Sequence, residues 1–187
     1  MGSSSWVLLS SRLPREPSRL RLAVWRRLKR LGAVLLHDAV WVLPADAQTR
    51  EAFEWLAEEI EERGGTVWMW EAESLSPEQD GQVVELFRRE ADARYGELGN
   101  SARAIRDATL RGRRRGARAP APTPALLAQA LRQLRGLERA LRLERRRDYF
   151  RAAGRAAAAA EVSAAIADLQ ARRTSLRDEG AARALGD

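Results

Sequence analysis

The sequence predicts an α+β protein in which a ferredoxin-like β-α-β-β-α-β unit is followed by a helical extension ending in an antiparallel helical hairpin. Three observations support this fold class. Short apolar runs alternate with segments of helical period up to residue 75, their connections are short, and all six tryptophans lie within residues 6–70. The predicted segments are 1–75 for the α+β unit, 76–110 for the helical extension, 111–124 for a basic proline-rich linker and 125–175 for the hairpin.

The first strand and the first helix are predicted at the start of the chain. Residues 6–9 form a continuous apolar run, which is typical of a buried strand. A basic helix is predicted over residues 18–31, with Ser18 as a suitable N-cap and Gly32 placed to end it in a left-handed conformation. Its apolar stripe consists of residues three or four positions apart: Leu20, Val24, Leu28 and Leu31.

Residues 33–43 are rich in apolar and β-branched side chains and predict β structure. They form either a tight hairpin that turns at His37-Asp38, which we favour, or one long bent strand. A protonated His37 could donate to a bound anion, so it is a candidate oxyanion sensor. The alternative is an ordinary turn residue beside a capping Asp38.

A second helix and a last strand complete the predicted α+β unit. Asp46 can cap the helix, and the glycine pair 64–65 ends it. Residues 66–70 then predict a strand. The apolar stripe of the helix comprises Phe53, Leu56, Ala57 and Ile60. We expect the tryptophans of this unit to pack in its core and interfaces, although Trp68 or Trp70 could stack on bases if the open sheet face is exposed.

Helical patterns occupy the rest of the chain. Ser76 and Pro77 begin a helix whose capping box is completed by Gln79, and the pattern continues to about Leu110 with a break near Gly99.

Two further helical patterns predict the C-terminal hairpin. Pro124 opens a helix rich in leucine, the sequence RRRDYF at 145–150 interrupts it, and an alanine-rich helix follows over about 155–173. Two helices joined by a short turn form an antiparallel hairpin.

The composition of the 187 residues excludes several classes of site. There is no cysteine, which excludes disulfides, thiolate metal sites and cysteine nucleophiles, and a single histidine argues against a histidine-based metal site. No apolar run approaches the roughly 18 residues of a membrane span, and no signal-peptide pattern is present. We therefore expect a cytoplasmic protein with no membrane partner.

No catalytic pattern occurs in the sequence. Ser/His/Asp groupings, a P-loop and a G-x-G-x-x-G motif are all absent. The acidic residues of the second predicted helix are surface positions rather than a converging ligand set: Glu58, Glu59, Glu61 and Glu62. We expect a non-enzymatic protein with no catalytic residue, no metal and no cofactor.

Charge is distributed unevenly along the chain, whose formal net charge is +7. Residues 101–155 carry sixteen arginines against four acidic residues, a local net charge of +12. Such asymmetry favours a polyanionic partner, and the alternative is a solvated face on arginine-rich helices.

Two groups of arginines are candidates for binding DNA phosphates, because guanidinium donors form a planar fork and basic arms bind by counterion release. The alternatives are a solvated helix face and a solubilising linker. The candidates on the first helix are Arg19, Arg26, Arg27 and Arg30, and those of the linker are Arg111, Arg113, Arg114 and Arg115. A further candidate anion pocket comprises Arg145, Arg146 and Arg147 at the hairpin turn.

With these residues in view, the chain resembles the N-terminal region of the ChrB family of chromate-resistance regulators. The matching pieces are WVLLSSRLPREPSRLRLAVWRRLKRLGAVLLHDAVWVLP, EAFEWLAEEIEERGG, LFRREADARYGEL and RRDYF. The chain is more distantly similar to the middle domain of PaaX-type repressors. Both families relate in outline to small ferredoxin-like CRISPR nucleases. Those nucleases carry a metal-binding acidic residue just after the first strand, where this chain has Leu9-Ser10-Ser11-Arg12.

The resemblance implies a DNA-linked regulatory role and a response to chromate. We therefore expect a DNA-binding transcriptional regulator that is a homo-oligomer, a dimer, with chromate or another oxyanion as effector. We expect a chain without the C-terminal domain with which ChrB-like proteins usually continue, and without the winged helix of PaaX-type repressors. The alternative is a protein-interaction adaptor of a chromate-resistance or stress operon, and a weaker third hypothesis is an oxyanion-binding enzyme accessory.

Overall fold

A computed structural model describes residues 5–14, 18–111 and 122–184 of the chain. The described chain contains four antiparallel strands and five α-helices, which confirms the predicted α+β class. The elements are β1 (Ser5–Arg12), α1 (Ser18–Leu31), β2 (Val34–His37), β3 (Val40–Pro44), α2 (Ala47–Glu62), β4 (Thr66–Glu73), α3 (Pro77–Arg111), α4 (Pro124–Arg147) and α5 (Gly154–Ala184).

The chain divides into two compact units. The sheet unit comprises Met1–Glu90 and Arg147–Ala152, and the helical unit comprises Ala91–Arg146 and Ala153–Asp187. This division differs from the predicted segments 1–75, 76–110, 111–124 and 125–175 in two ways. The boundary between the units falls inside α3, between Glu90 and Ala91. The short segment Arg147–Ala152, at the end of α4, belongs to the sheet unit. Most of the predicted linker, 112–121, lies outside the described residues.

The four strands of the sheet unit lie in the order β2-β3-β1-β4. β1 occupies the centre and pairs antiparallel with both β3 and β4, with Leu8 opposite Val42 on one side and Trp70 on the other. β2 and β3 form an antiparallel hairpin with an irregularity between Leu35 and His37. Segment 33–43 is therefore a hairpin and not one bent strand.

Helices α1 and α2 bury the apolar stripes that the sequence predicts. On α1, Leu20, Val24 and Leu28 are buried, and on α2 the buried side chains are Phe53, Leu56 and Ile60. Asp46 caps α2 by a capping box: its carboxylate accepts from the Thr49 amide at 2.8 Å, and the Thr49 hydroxyl accepts from the Asp46 amide at 3.0 Å. The local sequence therefore determines which residues these helices comprise and which face they bury.

An aromatic cluster in the sheet unit joins three distant parts of the chain. Trp6 on β1 stacks on Phe87 of α3 with ring centroids 5.8 Å apart, and Phe150 lies 5.3 Å from Phe87. Tyr149 meets Phe87 edge-on at 5.9 Å. The segment Arg147–Ala152, which the sequence predicts to interrupt two helices, thus supplies part of the core of the sheet unit.

α3 lacks the predicted break, and α5 is longer than predicted. α3 continues through Gly99, where a break was expected, because Ala158 of α5 packs against this position: a Cβ on Gly99 would lie 3.6 Å from the Ala158 Cα. The packing compensates for the poor helix propensity of glycine. α5 ends at Ala184, beyond the expected end near residue 173.

The helical unit is held together by buried leucines and ion pairs. Leu127, Leu134 and Leu169 are fully buried. Arg94 Nε of α3 donates to Glu144 of α4 at 2.6 Å, and Arg103 Nε of α3 donates to Glu161 of α5 at 2.9 Å. The helical unit is therefore made of three helices, in which α4 and α5 are joined to the second part of α3.

Within the described part of the chain, no helix is long and apolar enough to cross a membrane.

Candidate nucleic-acid interface

Helix α1 is the most basic element of the sheet unit. Its fourteen residues include five arginines and one lysine and no acidic residue. The helix forms because its apolar residues recur at helical spacing, and it is anchored by that buried stripe. Its cations must therefore lie on the remaining surface, where their partners decide what each can do.

Three of the four predicted phosphate-binding arginines of α1 share one exposed stripe. Arg19, Arg26 and Arg30 are exposed, and their spacing of seven and four residues places them on the same side of the helix. With a rise of about 1.5 Å per residue, the stripe is about 16 Å long. It presents a row of planar donors with no acidic residue of α1 among them.

Two other cations of α1 differ from this stripe. Arg27, the fourth predicted residue, is only half-exposed. Lys29 donates from Nζ to Glu90 of α3 at 2.6 Å and lies 5.5 Å from the ring centroid of Trp41. Lys29 therefore fixes α1 against its neighbours, while the exposed stripe is left to solvent or to a ligand.

The C-terminal end of α1 is capped by the segment that follows α4. Arg147 donates from Nη1 to the Lys29 carbonyl oxygen at 2.8 Å, and the Tyr149 hydroxyl donates to the Leu31 carbonyl oxygen at 2.8 Å. The last carbonyls of a helix lack partners within the helix, so both bonds satisfy groups that would otherwise need water. Burial raises the pKa of Tyr149 to about 12, with a further rise from the charge of Asp46.

Gly32 allows this close approach. Its φ is +78°, and a Cβ at this position would lie 2.8 Å from the Arg147 Cβ and 2.9 Å from the Arg147 carbonyl oxygen. Glycine is therefore required both for the left-handed turn and for the space. Arg147, predicted as an anion ligand, serves here as a cap for α1.

Anion binding by the other predicted ligands stays a prediction. Arg145 and Arg146 belong to the helical unit and are exposed. Arg145 borders a cavity of about 490 Å³ between α4 and α5, which is also lined by Leu141 and Val162. In the linker group, the side chain of Arg111 and all of Arg113, Arg114 and Arg115 lie outside what the structure describes.

His37 is the last residue of β2, next to the Asp38-Ala39 turn of the β2–β3 hairpin. Its Nδ1 lies 2.7 Å from Asp38 Oδ2, and both side chains are more than four-fifths exposed. Asp38 has a φ of +46°, which aspartate tolerates in turns. The geometry is that of an exposed turn with a local contact between the imidazole and the carboxylate, and the use of His37 as an oxyanion sensor stays a prediction.

Two further surface features could serve as sites. The sequence did not predict the first, a groove beside α1, and it indicated the second, the pair Trp68 and Trp70, only as an alternative. A groove of about 450 Å³ runs beside α1, with Trp25 and Trp41 in its walls and Arg12 and Arg21 among its lining residues. On the sheet, Trp68 and Trp70 are 66% and 50% exposed. Successive side chains of a strand point to opposite faces, so these two tryptophans, two residues apart on β4, share one face of the sheet. Their contact with solvent depends on what packs on that face.

Among the residues that the structure describes, no group of three or more His, Cys, Asp or Glu side chains could hold a metal ion.

The comparisons with known proteins agree on one family. A family model described as Protein ChrB, N-terminal, matches residues 21–174. Protein ChrB of Cupriavidus metallidurans is 32% identical over 89 residues, which cover 48% of this chain and 28% of that relative. The matched region is thus under a third of the curated relative's length. No solved structure matches the chain.

Proposed function

The chain belongs to the family of the ChrB N-terminal region, and on this premise we propose that it is a non-enzymatic, DNA-binding transcriptional regulator of chromate resistance. Chromate or another oxyanion is its effector rather than a cofactor, and the protein acts in the cytoplasm as a homo-oligomer, a dimer.

We extend the proposal to the fold. The sheet unit is ferredoxin-like, since order β2-β3-β1-β4 is what two interleaved β-α-β units produce. α4 and α5 form the antiparallel hairpin.

The exposed stripe of Arg19, Arg26 and Arg30 carries the proposal of DNA binding. Contacts to phosphate need exposed cations on a rigid element, and they do not need base recognition. The stripe is about 16 Å long, which matches the phosphates of about five base pairs at 3.4 Å per pair. The absence of acidic residues from α1 leaves the field of this stripe unopposed within the helix.

The test is fluorescence anisotropy of a labelled duplex with the full chain at several salt concentrations. Replacing Arg19, Arg26 and Arg30 with glutamine should weaken binding to all duplexes alike. The slope of log affinity against log salt should flatten by about 2.7 units, because each phosphate contact contributes about 0.9. The fold should persist, because these side chains lie off the buried stripe.

A matched control separates the stripe from net charge. Replacing Arg89, Arg173 and Arg177, which are also exposed, removes the same three charges and should leave most of the affinity and slope intact. Equal losses of duplex affinity in both triple variants would show that binding depends on the net charge of the protein and not on this stripe. Unchanged binding in the α1 variant, with native circular dichroism, would exclude this surface.

A second candidate function is a protein-interaction adaptor, which the exposure of Trp68 and Trp70 favours. Tryptophan is enriched in the energetically dominant centres of protein interfaces, and two adjacent exposed tryptophans on one strand are costly in water. If this face mediates self-association, replacing both with serine should lower the mass measured by sedimentation velocity. An identical mass for the wild type and the variant would contradict that use of the face.

A further inference from the structure

Helix α4 carries a row of five exposed arginines in the helical unit. Successive members are three or four residues apart, which places them along one side of the helix. We call them the arginine ridge, and they are Arg132, Arg135, Arg139, Arg142 and Arg146. The row extends over the fifteen residues 132–146, and their fourteen steps at 1.5 Å each give a length of about 21 Å.

The ridge is distinct from the face by which α4 packs. The buried side chains of α4 include Leu127, Leu134 and Leu141, which lie roughly 100° or more around the helix from the centre of the ridge, and Leu131, which borders the ridge beside Arg135. None of the five ridge arginines is buried. Packing of the helical unit therefore does not explain why these positions are arginine.

Acidic residues of α4 neutralise little of the ridge. Glu144 is 1% exposed and is engaged by Arg94 of α3 at 2.6 Å. Glu138 lies 3.7 Å from Arg142 in an exposed pair, so it offsets one charge weakly. At least four of the five guanidinium groups therefore face solvent without a carboxylate of α4 beside them.

The spacing of the ridge is unfavourable for an isolated helix. Each arginine has the next one at i+3 or i+4, and like charges at this spacing repel each other and destabilise the helix. A solvated face needs only polar residues and would gain from alternating signs. A polyanion lying along the row would remove the repulsion and gain from every member.

We propose that the arginine ridge of α4 is a second DNA-binding surface, which takes the phosphates of duplex DNA along the helix. The proposal rests on the proposed DNA-binding function and adds to it a surface in the other unit of the chain. A rigid row of cations is complementary in charge to the dense, regularly spaced phosphates along the axis of a duplex. Its length of about 21 Å corresponds to about six base pairs.

The test removes the middle of the ridge from the full chain. In the variant R135Q/R139Q/R142Q, the salt dependence of duplex affinity should flatten by about 2.7 units, as expected for three lost phosphate contacts. Thermal stability should be unchanged or higher, because like-charge repulsion is relieved. The control is the triple variant at Arg89, Arg173 and Arg177, which should keep most of the affinity.

A local probe distinguishes direct contact from a distant effect. The chain has no cysteine, so Leu143→Cys places a single dye on α4 beside the ridge, where Leu143 is half-exposed. Adding duplex should change its fluorescence, whereas a dye at Thr174→Cys on α5 should respond less. An equal or absent response at position 143 would overturn the proposal.

The outcomes also separate this inference from the proposed function. If the α1 triple variant loses affinity and the ridge variant does not, the ridge proposal fails and DNA binding through α1 stands. If the wild-type chain does not bind duplex even at low salt, both fail. If the ridge variant loses binding to phosphatidylserine vesicles while keeping its duplex affinity, the ridge is a lipid surface and the DNA proposal for it is overturned.

Discussion

The guanidinium of Arg147 donates a 2.8 Å hydrogen bond to the carbonyl oxygen of Lys29, which lies 118 residues earlier in the chain. The bond joins the segment after α4 to the end of the basic helix α1, and Tyr149 repeats the pattern at Leu31. The position of α1, and with it the exposed arginine stripe, therefore depends on residues far away in the sequence.

The first prediction concerns the cap supplied by Tyr149. Tyr149→Phe should destabilise the sheet unit by about 1 kcal/mol, because the Leu31 carbonyl loses its donor while the ring packing is kept. Urea unfolding followed by circular dichroism measures this change. A variant as stable as the wild type would mean that water replaces the hydroxyl without cost.

A second prediction follows from the raised pKa of Tyr149. The folded state keeps this phenol protonated up to a pKa of about 12, above its usual value. The unfolded phenol ionises first as the pH rises, so its contribution to stability is fully present below the unfolded pKa and is lost between there and pH 12. The wild type should lose more stability than Tyr149→Phe across this range, and parallel alkaline unfolding curves would contradict the assignment.

Gly32 and Gly64 form a matched pair for the third prediction. Both have a φ of +78°, but a Cβ on Gly64 meets nothing within 4 Å, whereas one on Gly32 meets Arg147 at 2.8 Å. Gly64→Ala should cost about 1 kcal/mol for the left-handed backbone. Gly32→Ala should cost clearly more, since the Arg147 backbone must also move. Equal urea midpoints of the two variants would show that segment 147–152 moves away from the added Cβ at little cost in free energy.

The fourth prediction compares two glutamates on α4. Glu144 is buried against Arg94, and its replacement by alanine should cost about 3–5 kcal/mol, because a partly buried guanidinium loses a buried carboxylate acceptor. Glu138 forms only an exposed pair with Arg142, and Glu138→Ala should change stability by less than about 1 kcal/mol. Thermal unfolding of both variants measures the difference. Similar values would mean that Arg94 finds another acceptor.

The fifth prediction concerns acid. A hydrogen bond from Arg50, with a further one from Ser5, lowers the pKa of Glu71. A lowered carboxyl pKa contributes stability above the unfolded pKa, and this stability is lost as the pH falls through the folded value. Glu71→Gln should therefore flatten the dependence of stability on pH below about pH 4.3, the ordinary glutamate value. Because the pair is exposed, the effect should shrink in high salt, and a salt-independent difference would contradict this account.

The parts of the fold that local chemistry determines were accessible from sequence. The stripe of Leu20, Val24 and Leu28 and the cap at Asp46 predict α1 and α2 with their buried faces. The continuity of α3 through Gly99 was not accessible, because it depends on Ala158 from a helix far along the chain. The return of Phe150 to the sheet unit depends likewise on contacts that no local period reveals.

The candidate site shows the same limit. Arg26 and Lys29 look alike in the sequence of α1, yet Lys29 is held by Glu90 while Arg26 is exposed. Sequence predicts that a helix is basic, but only the partners of each cation show which ones remain available. The ridge on α4 differs, because its spacing of three and four residues is visible in the sequence, whereas the exposure of all five arginines is visible only in the structure.

The aromatic cluster of Trp6, Phe87 and Phe150 also has a consequence for synthesis on the ribosome. The first two rings emerge early, but the third is translated only after all of α4. Until then the nascent sheet unit exposes an unfinished aromatic face, and closing it requires a contact of large sequence separation, which forms slowly. The cluster can therefore be completed only after residue 150 has left the exit tunnel, and until then its exposed aromatic surface favours aggregation.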